Sequence, residues 1–241
     1  MPTLDWIGKQ AVVNHHREVP YRLVHCDDEL SAGDPEAGNL LVQGDNLEAL
    51  RALLPYYAGK VKCIYIDPPY NTGNEGWVYN DSVNSPEIKR WLGQVVGKEA
   101  EDLSRHDKWL CMMYPRLRLL REFLRHDGVF YASCDGNELH NFRIICDEIF
   151  GARNHAATFV WNTEGNTDNQ LQIKVNHEYI LTYYANKKFR ELAIGHVIDP
   201  NTPNESNLRA GFADNNITKN GNKNPPSIIK LPAGFPRLRT H

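Results

Sequence analysis

Val61-Lys62-Cys63-Ile64-Tyr65-Ile66-Asp67-Pro68-Pro69-Tyr70 is the stretch on which the fold reading turns. The run from Val61 to Ile66 is nearly continuous in apolar residues, as expected of a parallel strand buried on both faces. Two prolines then fix φ and remove two backbone donors, so the chain leaves the strand in a rigid turn. Upstream, Asn39 to Gln43 reads as a short strand. Gly44-Asp45-Asn46-Leu47-Glu48 opens a helix with Leu47, Leu50 and Leu54 on one face. Strand, helix, strand is a crossover unit, and such sheets bind ligands beyond the carboxyl ends of their strands. That predicts an α/β fold with Asp45 and Asp67 at the ligand-binding end. Asp45 followed by Glu48 also has the spacing of a capping box, and the cap is the physically safer reading.

Further along, the stretch from Asn71 to Asp102 reads as one long loop holding Gly73, Gly76, Gly93 and Gly97 among Trp77, Tyr79 and Trp91. Trp109, Met113, Leu117, Leu120 and Leu124 have helical spacing, and Pro115 predicts a kink or a break into two helices. Arg116, Arg118, Arg121 and Arg125 read as a solvated face. Val129 to Ser133 is a second buried strand, and Leu139, Phe142, Cys146 and Ile149 mark an amphipathic helix. Asp135, between them, reads as a cap. Ala156 to Trp161 and Tyr179 to Tyr184 are strands, expected as an antiparallel pair at the sheet edge, with His177 and Glu178 as structural residues leading into the second. Residues 1–39 show little periodicity. His15, His16 and His25 have no ligand-spaced partners, so no metal site is expected.

Asp67-Pro68-Pro69-Tyr70 combines a carboxylate, a rigid turn and an aromatic face. The exocyclic amine of adenine or cytosine is a poor nucleophile because its lone pair is delocalised into the ring. A carboxylate accepting one N–H and the Pro68 carbonyl accepting the other would localise that lone pair and stabilise the charge developing on nitrogen. A charge-assisted bond of ~1.5–3 kcal/mol is about one to two decades in rate. Tyr70 offers a stacking face, which offsets part of the cost of rotating a base out of a duplex. A plain strand-to-loop turn would look the same in isolation.

Gly44-Asp45-Asn46-Leu47-Glu48-Ala49-Leu50, Ile64 through Gly73, and Asn176-His177-Glu178-Tyr179-Ile180-Leu181 together settle that ambiguity. In order and spacing, over residues 40 to 190, they resemble the amino-methylating, adenine-specific DNA methyltransferases, in particular the modification subunits of type III restriction systems. The resemblance implies a Rossmann-like sheet with helices on both faces, S-adenosylmethionine as cofactor and double-stranded DNA as substrate. It implies transfer to adenine N6 after base flipping, with Asp67, Pro68, Pro69 and Tyr70 gripping the base. Asp45, with Asp67, would lie against the cofactor, and Asn71 and Tyr79 would reach the extruded base. Candidate protein partners are a restriction subunit and a second copy of the chain. Relatives with this motif order also carry a Phe-x-Gly-x-Gly loop further on, which these 241 residues lack. The expectation is an amino-terminal part of a longer enzyme: an arm at 1–39, a catalytic part at 40–190, and the start of a target-recognition region at 191–241. A cytosine-N4 methyltransferase and a non-catalytic DNA-binding fragment remain the alternatives.

Composition bounds these readings. Five cysteines without a Cys-x-x-Cys pair argue for free thiols in a reducing compartment, and Met1 to Trp6 lacks the order of a secretory signal. No apolar run approaches a membrane span. A cytoplasmic protein without membrane contact is therefore expected. Formal charge is −3 but unevenly spread. From Lys187 onward nine Lys and Arg face four Asp and Glu, a surplus of +5, leaving −8 on residues 1–186. A basic tail behind an acidic body fits phosphate contact by the tail.

Overall fold

In the computed structural model, the residues described are 3–34, 38–72, 86–97, 103–162 and 176–190. Four strands form one mixed sheet: β1 (Val61–Ile66), β2 (Leu124–Cys134), β3 (His155–Asn162) and β4 (His177–Tyr184), in the order β1-β2-β4-β3. β2 runs parallel to β1, and β4 runs antiparallel to both β2 and β3. The carboxyl ends of β1 and β2 and the amino end of β4 therefore meet on one rim. Pairing jumps between Val61↔Leu124 and Cys63↔Val129, so the residues around Asp127 are accommodated by a bulge.

The long helix α5 (Arg105–Phe123) is the organising element. Ser104 and Asp107 close a capping box at its start, each side chain accepting the other's backbone N–H. Trp109, Cys111, Leu117 and Leu119 are fully buried along it. The core joins α5 and α6 (Leu139–Cys146) to the sheet face bearing Ile64, Phe130, Ala132, Leu181 and Tyr183. Each such large apolar side chain contributes ~1.5–3 kcal/mol by leaving water. α6 continues into a π turn over Asp147–Gly151, which turns the chain into β3.

Several elements differ from expectation. Residues 39–43 form no strand: Leu41 is 97% exposed and Leu40 is also exposed. Apolar composition there finds no neighbour to pair with, and among the described residues β1 is an edge strand. The crossover unit thus begins at the helix α3 (Asn46–Tyr57). The alternate face of β1 carries exposed Cys63 and Tyr65, while Ile64 is buried. Pro115 neither breaks α5 nor splits it. Neighbours Tyr114 and Leu117 are buried beside it, and their packing outweighs one missing hydrogen bond of ~1 kcal/mol. The stretch read as a long loop contains a helix, α4 (Pro86–Val95), in which Trp91 packs edge-on to His15 at 5.4 Å. β4 lies inside the sheet, and only β3 takes that edge.

The first residues are more ordered than their weak periodicity implies. Short helices α1 (Lys9–Val12) and α2 (His15–Glu18) lie on α5, where Val12 and Val19 are buried. Trp6 donates from Nε1 to Cys111 Sγ at 3.3 Å. Among the described residues, no helix is long and apolar enough to cross a membrane.

Candidate active site

Asp67 emerges from the carboxyl end of β1 as an exposed carboxylate. Ser133, near the end of the parallel neighbour β2, donates from Oγ to Asp67 Oδ1 at 2.9 Å. The Tyr65 hydroxyl stands 2.8 Å from the same Ser133 oxygen. One oxygen of Asp67 is thereby fixed, and among the described residues no donor reaches Oδ2. A fixed acceptor facing solvent is the arrangement needed to take an N–H from an incoming group.

The next three residues are held from beneath by α5 and β4. Trp109 Nε1 donates to the Pro69 carbonyl at 2.6 Å. Pro68 is itself buried, and among the described residues its carbonyl takes no hydrogen bond. Tyr70 is half-buried and its hydroxyl donates to Glu178 Oε2 at 3.1 Å. Burial, more than the neighbouring carboxylates, pushes the Tyr70 phenol above its ordinary range, so it remains a donor at neutral pH. Glu178, expected to be structural, is thus in contact with the site.

Asn71 departs from the expected role of base contact. It is 2% exposed, and its amide donates to Glu138 Oε1 and to the Arg105 carbonyl at 3.3 Å. Both amide hydrogens are committed inside the protein, so none points outward. Tyr79 lies outside the described residues.

Asp45 is the N-cap of α3, its Oδ1 accepting from the amides of Leu47 (2.9 Å) and Glu48 (3.0 Å). The capping box is incomplete because Glu48 turns instead to Arg22, 3.0 Å away. Asp45 Oδ2 lies 3.7 Å from Arg116, whose Nε donates to Asn46 Oδ1 at 2.6 Å. Arg116 also donates to the Met112 carbonyl, Arg121 to that of Ala185, and Arg125 to Asp127. Of the four arginines expected on a solvated face, Arg116 and Arg121 are partly buried and tied to the protein, while Arg125 stays exposed as it pairs with Asp127. Burial lowers the pKa of Arg116 despite the nearby Asp45. Trp109 and Arg116, seven positions apart, share one side of α5, so the supports of Pro69 and of Asn46 stand about 10 Å apart along the helix. Asp135 caps the turn after β2, accepting from Asn137 N at 2.9 Å.

Ser133, Trp109 and Glu138 are site-supporting residues that motif reading missed. Ser133 was within reach: if two parallel strands end side by side, the last residues of one lie next to the carboxylate of the other.

A family model described as DNA methylase, of N6 and N4 methyltransferases, matches residues 61–235. That span contains Asp67, Ser133, Glu138 and Glu178 but not Asp45. The chain is 40% identical over 198 residues to the Mod subunit of the type III restriction-modification enzyme EcoP15I of Escherichia coli, covering 77% of this chain and 30% of that protein. It is 38% identical over 202 residues to the EcoPI Mod subunit of Escherichia phage P1, with 77% and 30% covered. Against the StyLTI Mod subunit of Salmonella typhimurium it is 36% identical over 196 residues, with 75% and 29% covered. The chain thus spans about 30% of the length of these relatives. The solved PvuII DNA methyltransferase (cytosine-N4-specific) aligns at TM-score 0.36 and 13% identity, over 57% of this chain and 46% of that one.

Proposed function

Since the chain belongs to the N6/N4 DNA methylase family, we propose that it transfers a methyl group from S-adenosylmethionine to adenine N6 in double-stranded DNA, within a restriction-modification system. The observation that carries this reading is the split use of exposed Asp67, whose Oδ1 is bound by Ser133 while no described residue donates to Oδ2 or to the neighbouring Pro68 carbonyl. Two acceptors on one rigid turn match the two hydrogens of an exocyclic amine. Taking both hydrogens draws the lone pair out of the ring and stabilises the positive charge that develops during attack. Tyr70, braced through its hydroxyl against Glu178, presents a ring for stacking on an extruded base.

The cofactor supplies an electrophilic methyl on a sulfonium centre. Asp45 and Asp67, both exposed carboxylates, have the charge that suits a cationic ligand with hydroxyl and ammonium donors, and they are the residues assigned to it. We divide the chain into an arm at 1–39, a catalytic part at 40–190 and the start of a target-recognition region beyond. DNA and a restriction subunit are the partners this assignment requires, and the similarity to Mod subunits supports it.

The decisive measurement is transfer of tritium from labelled S-adenosylmethionine to a duplex, followed by identification of the labelled base. Label in adenine N6, lost in Asp67→Ala with duplex affinity retained, is the expected outcome. Label in cytosine alone, or undiminished turnover in Asp67→Ala, rejects the proposal.

A further inference from the structure

We propose that Glu138 is a positioning residue for the base-gripping turn, acting through Asn71 from beneath Asp67-Pro68-Pro69-Tyr70. The inference rests on the methyl-transfer reading above and extends it to a residue that touches neither base nor cofactor.

Glu138 occupies the N-cap of α6, yet its side chain caps nothing on that helix. Instead it is turned inward and wholly buried. Three side-chain nitrogens converge on it: Asn71 Nδ2 at 2.5 Å, His106 Nδ1 at 2.6 Å and Asn141 Nδ2 at 3.0 Å. His106 Nδ1 meets the same oxygen as Asn71, as donor or acceptor according to its tautomer. A polar group at this depth persists only with such compensation. The partners come from α5, from α6 and from the turn itself, so the acid ties the turn to both helices.

The turn needs that tie. Asn71 is the only non-glycine with positive φ among the described residues, at 58°. Asparagine tolerates this region better than other side chains, but a strained backbone persists only where its surroundings hold it. The Pro69 carbonyl is fixed by Trp109 on one side of Tyr70, and the Asn71 amide is fixed by Glu138 on the other. The two anchors flank Tyr70 and position both its ring and the peptide unit that precedes it. A misplacement of reacting groups by about 1 Å costs on the order of a hundredfold in rate.

The test uses Asn71→Gly, Glu138→Ala and Glu138→Gln in the full protein. Glycine keeps the backbone of the turn and deletes the tie, while glutamine keeps an acceptor for Asn71. We expect Asn71→Gly and Glu138→Ala to lower kcat about ten- to a hundredfold with KM for S-adenosylmethionine unchanged, and Glu138→Gln to restore most of the loss. Hydrogen exchange over residues 66–72, which needs no turnover, should accelerate in the first two variants. Wild-type kcat together with unchanged exchange in Asn71→Gly overturns the proposal, and that variant decides if Glu138→Ala does not fold. If the unaltered protein transfers no methyl group, the methyl-transfer reading fails instead, and the exchange measurement alone judges Glu138.

Discussion

The hydrogen bond from Ser133 to Asp67 does two things that a longer list of contacts would not. It stops rotation of the carboxylate, and it leaves one oxygen for an incoming donor. Removing it should affect the rate of reaction rather than the affinity for DNA, because an orienting contact matters most when charge develops. For Ser133→Ala we expect kcat to fall by about one to two decades, the equivalent of a charge-assisted bond of ~1.5–3 kcal/mol. Duplex binding should stay near wild type. Steady-state kinetics beside a filter-binding isotherm measure both quantities, and a lowered affinity with kcat intact would contradict the assignment. Tyr65 is the weaker partner in this chain, since it is 60% exposed and reaches Asp67 only through Ser133.

At the scale of elements, the docking of α2 on α5 has a built-in acid sensitivity. His16 is 1% exposed, and among the described residues neither ring nitrogen finds a hydrogen-bond partner. Burial, with Arg118, Arg17 and Arg51 nearby, lowers its pKa to about 4 from the usual 6.5, and Glu122 at 3.9 Å does not compensate. A depressed histidine favours the folded state in its neutral form. Its contribution is complete above pH 6.5 and disappears as pH falls toward 4. Thermal unfolding between these limits should show a decline in stability of ~2–3 kcal/mol, and His16→Phe should flatten that decline. An identical pH dependence in the variant would remove His16 as its cause. The elements also show where sequence reading succeeds. β2, α5, α6 and β4 follow from apolar period because each buries a stripe of side chains, whereas β1 and β3, the edge strands, follow from their β-branched and aromatic composition. The failures have physical causes. Leu40 and Leu41 have strand-like composition but no pairing neighbour among the described residues. Gly93 and Gly97 give residues 86–97 a loop-like composition, although α4 is amphipathic and buries Leu92. Glu138 carries no local sequence signal because its partners stand 32 and 67 positions away.

Across the whole molecule, charge is separated from chemistry. The acidic body carries the site, whereas the basic excess falls after Lys187, mostly on residues outside those described. If these cations meet phosphates, each one neutralised on duplex DNA should contribute about 0.9 to the slope of log K against log salt. Replacing Lys219, Lys223, Lys230, Arg237 and Arg239 by glutamine should therefore flatten that slope by up to about 4.5 while sparing S-adenosylmethionine binding. A slope that does not change would place the phosphate contacts on the body. The basic bias was legible from composition alone, but its geometry was not, because composition carries no information about which face a charge occupies.

The brace between Tyr70 and Glu178 spans 108 positions of chain. At a synthesis rate of ~5–20 residues per second, a ribosome needs roughly 5–20 s to cover that interval. A nascent chain that has already released its Asp-Pro-Pro-Tyr segment must therefore wait for β4 to emerge before the tyrosine is braced. On the proposed function, competence to hold a base would be acquired late in translation, however early its central motif is made.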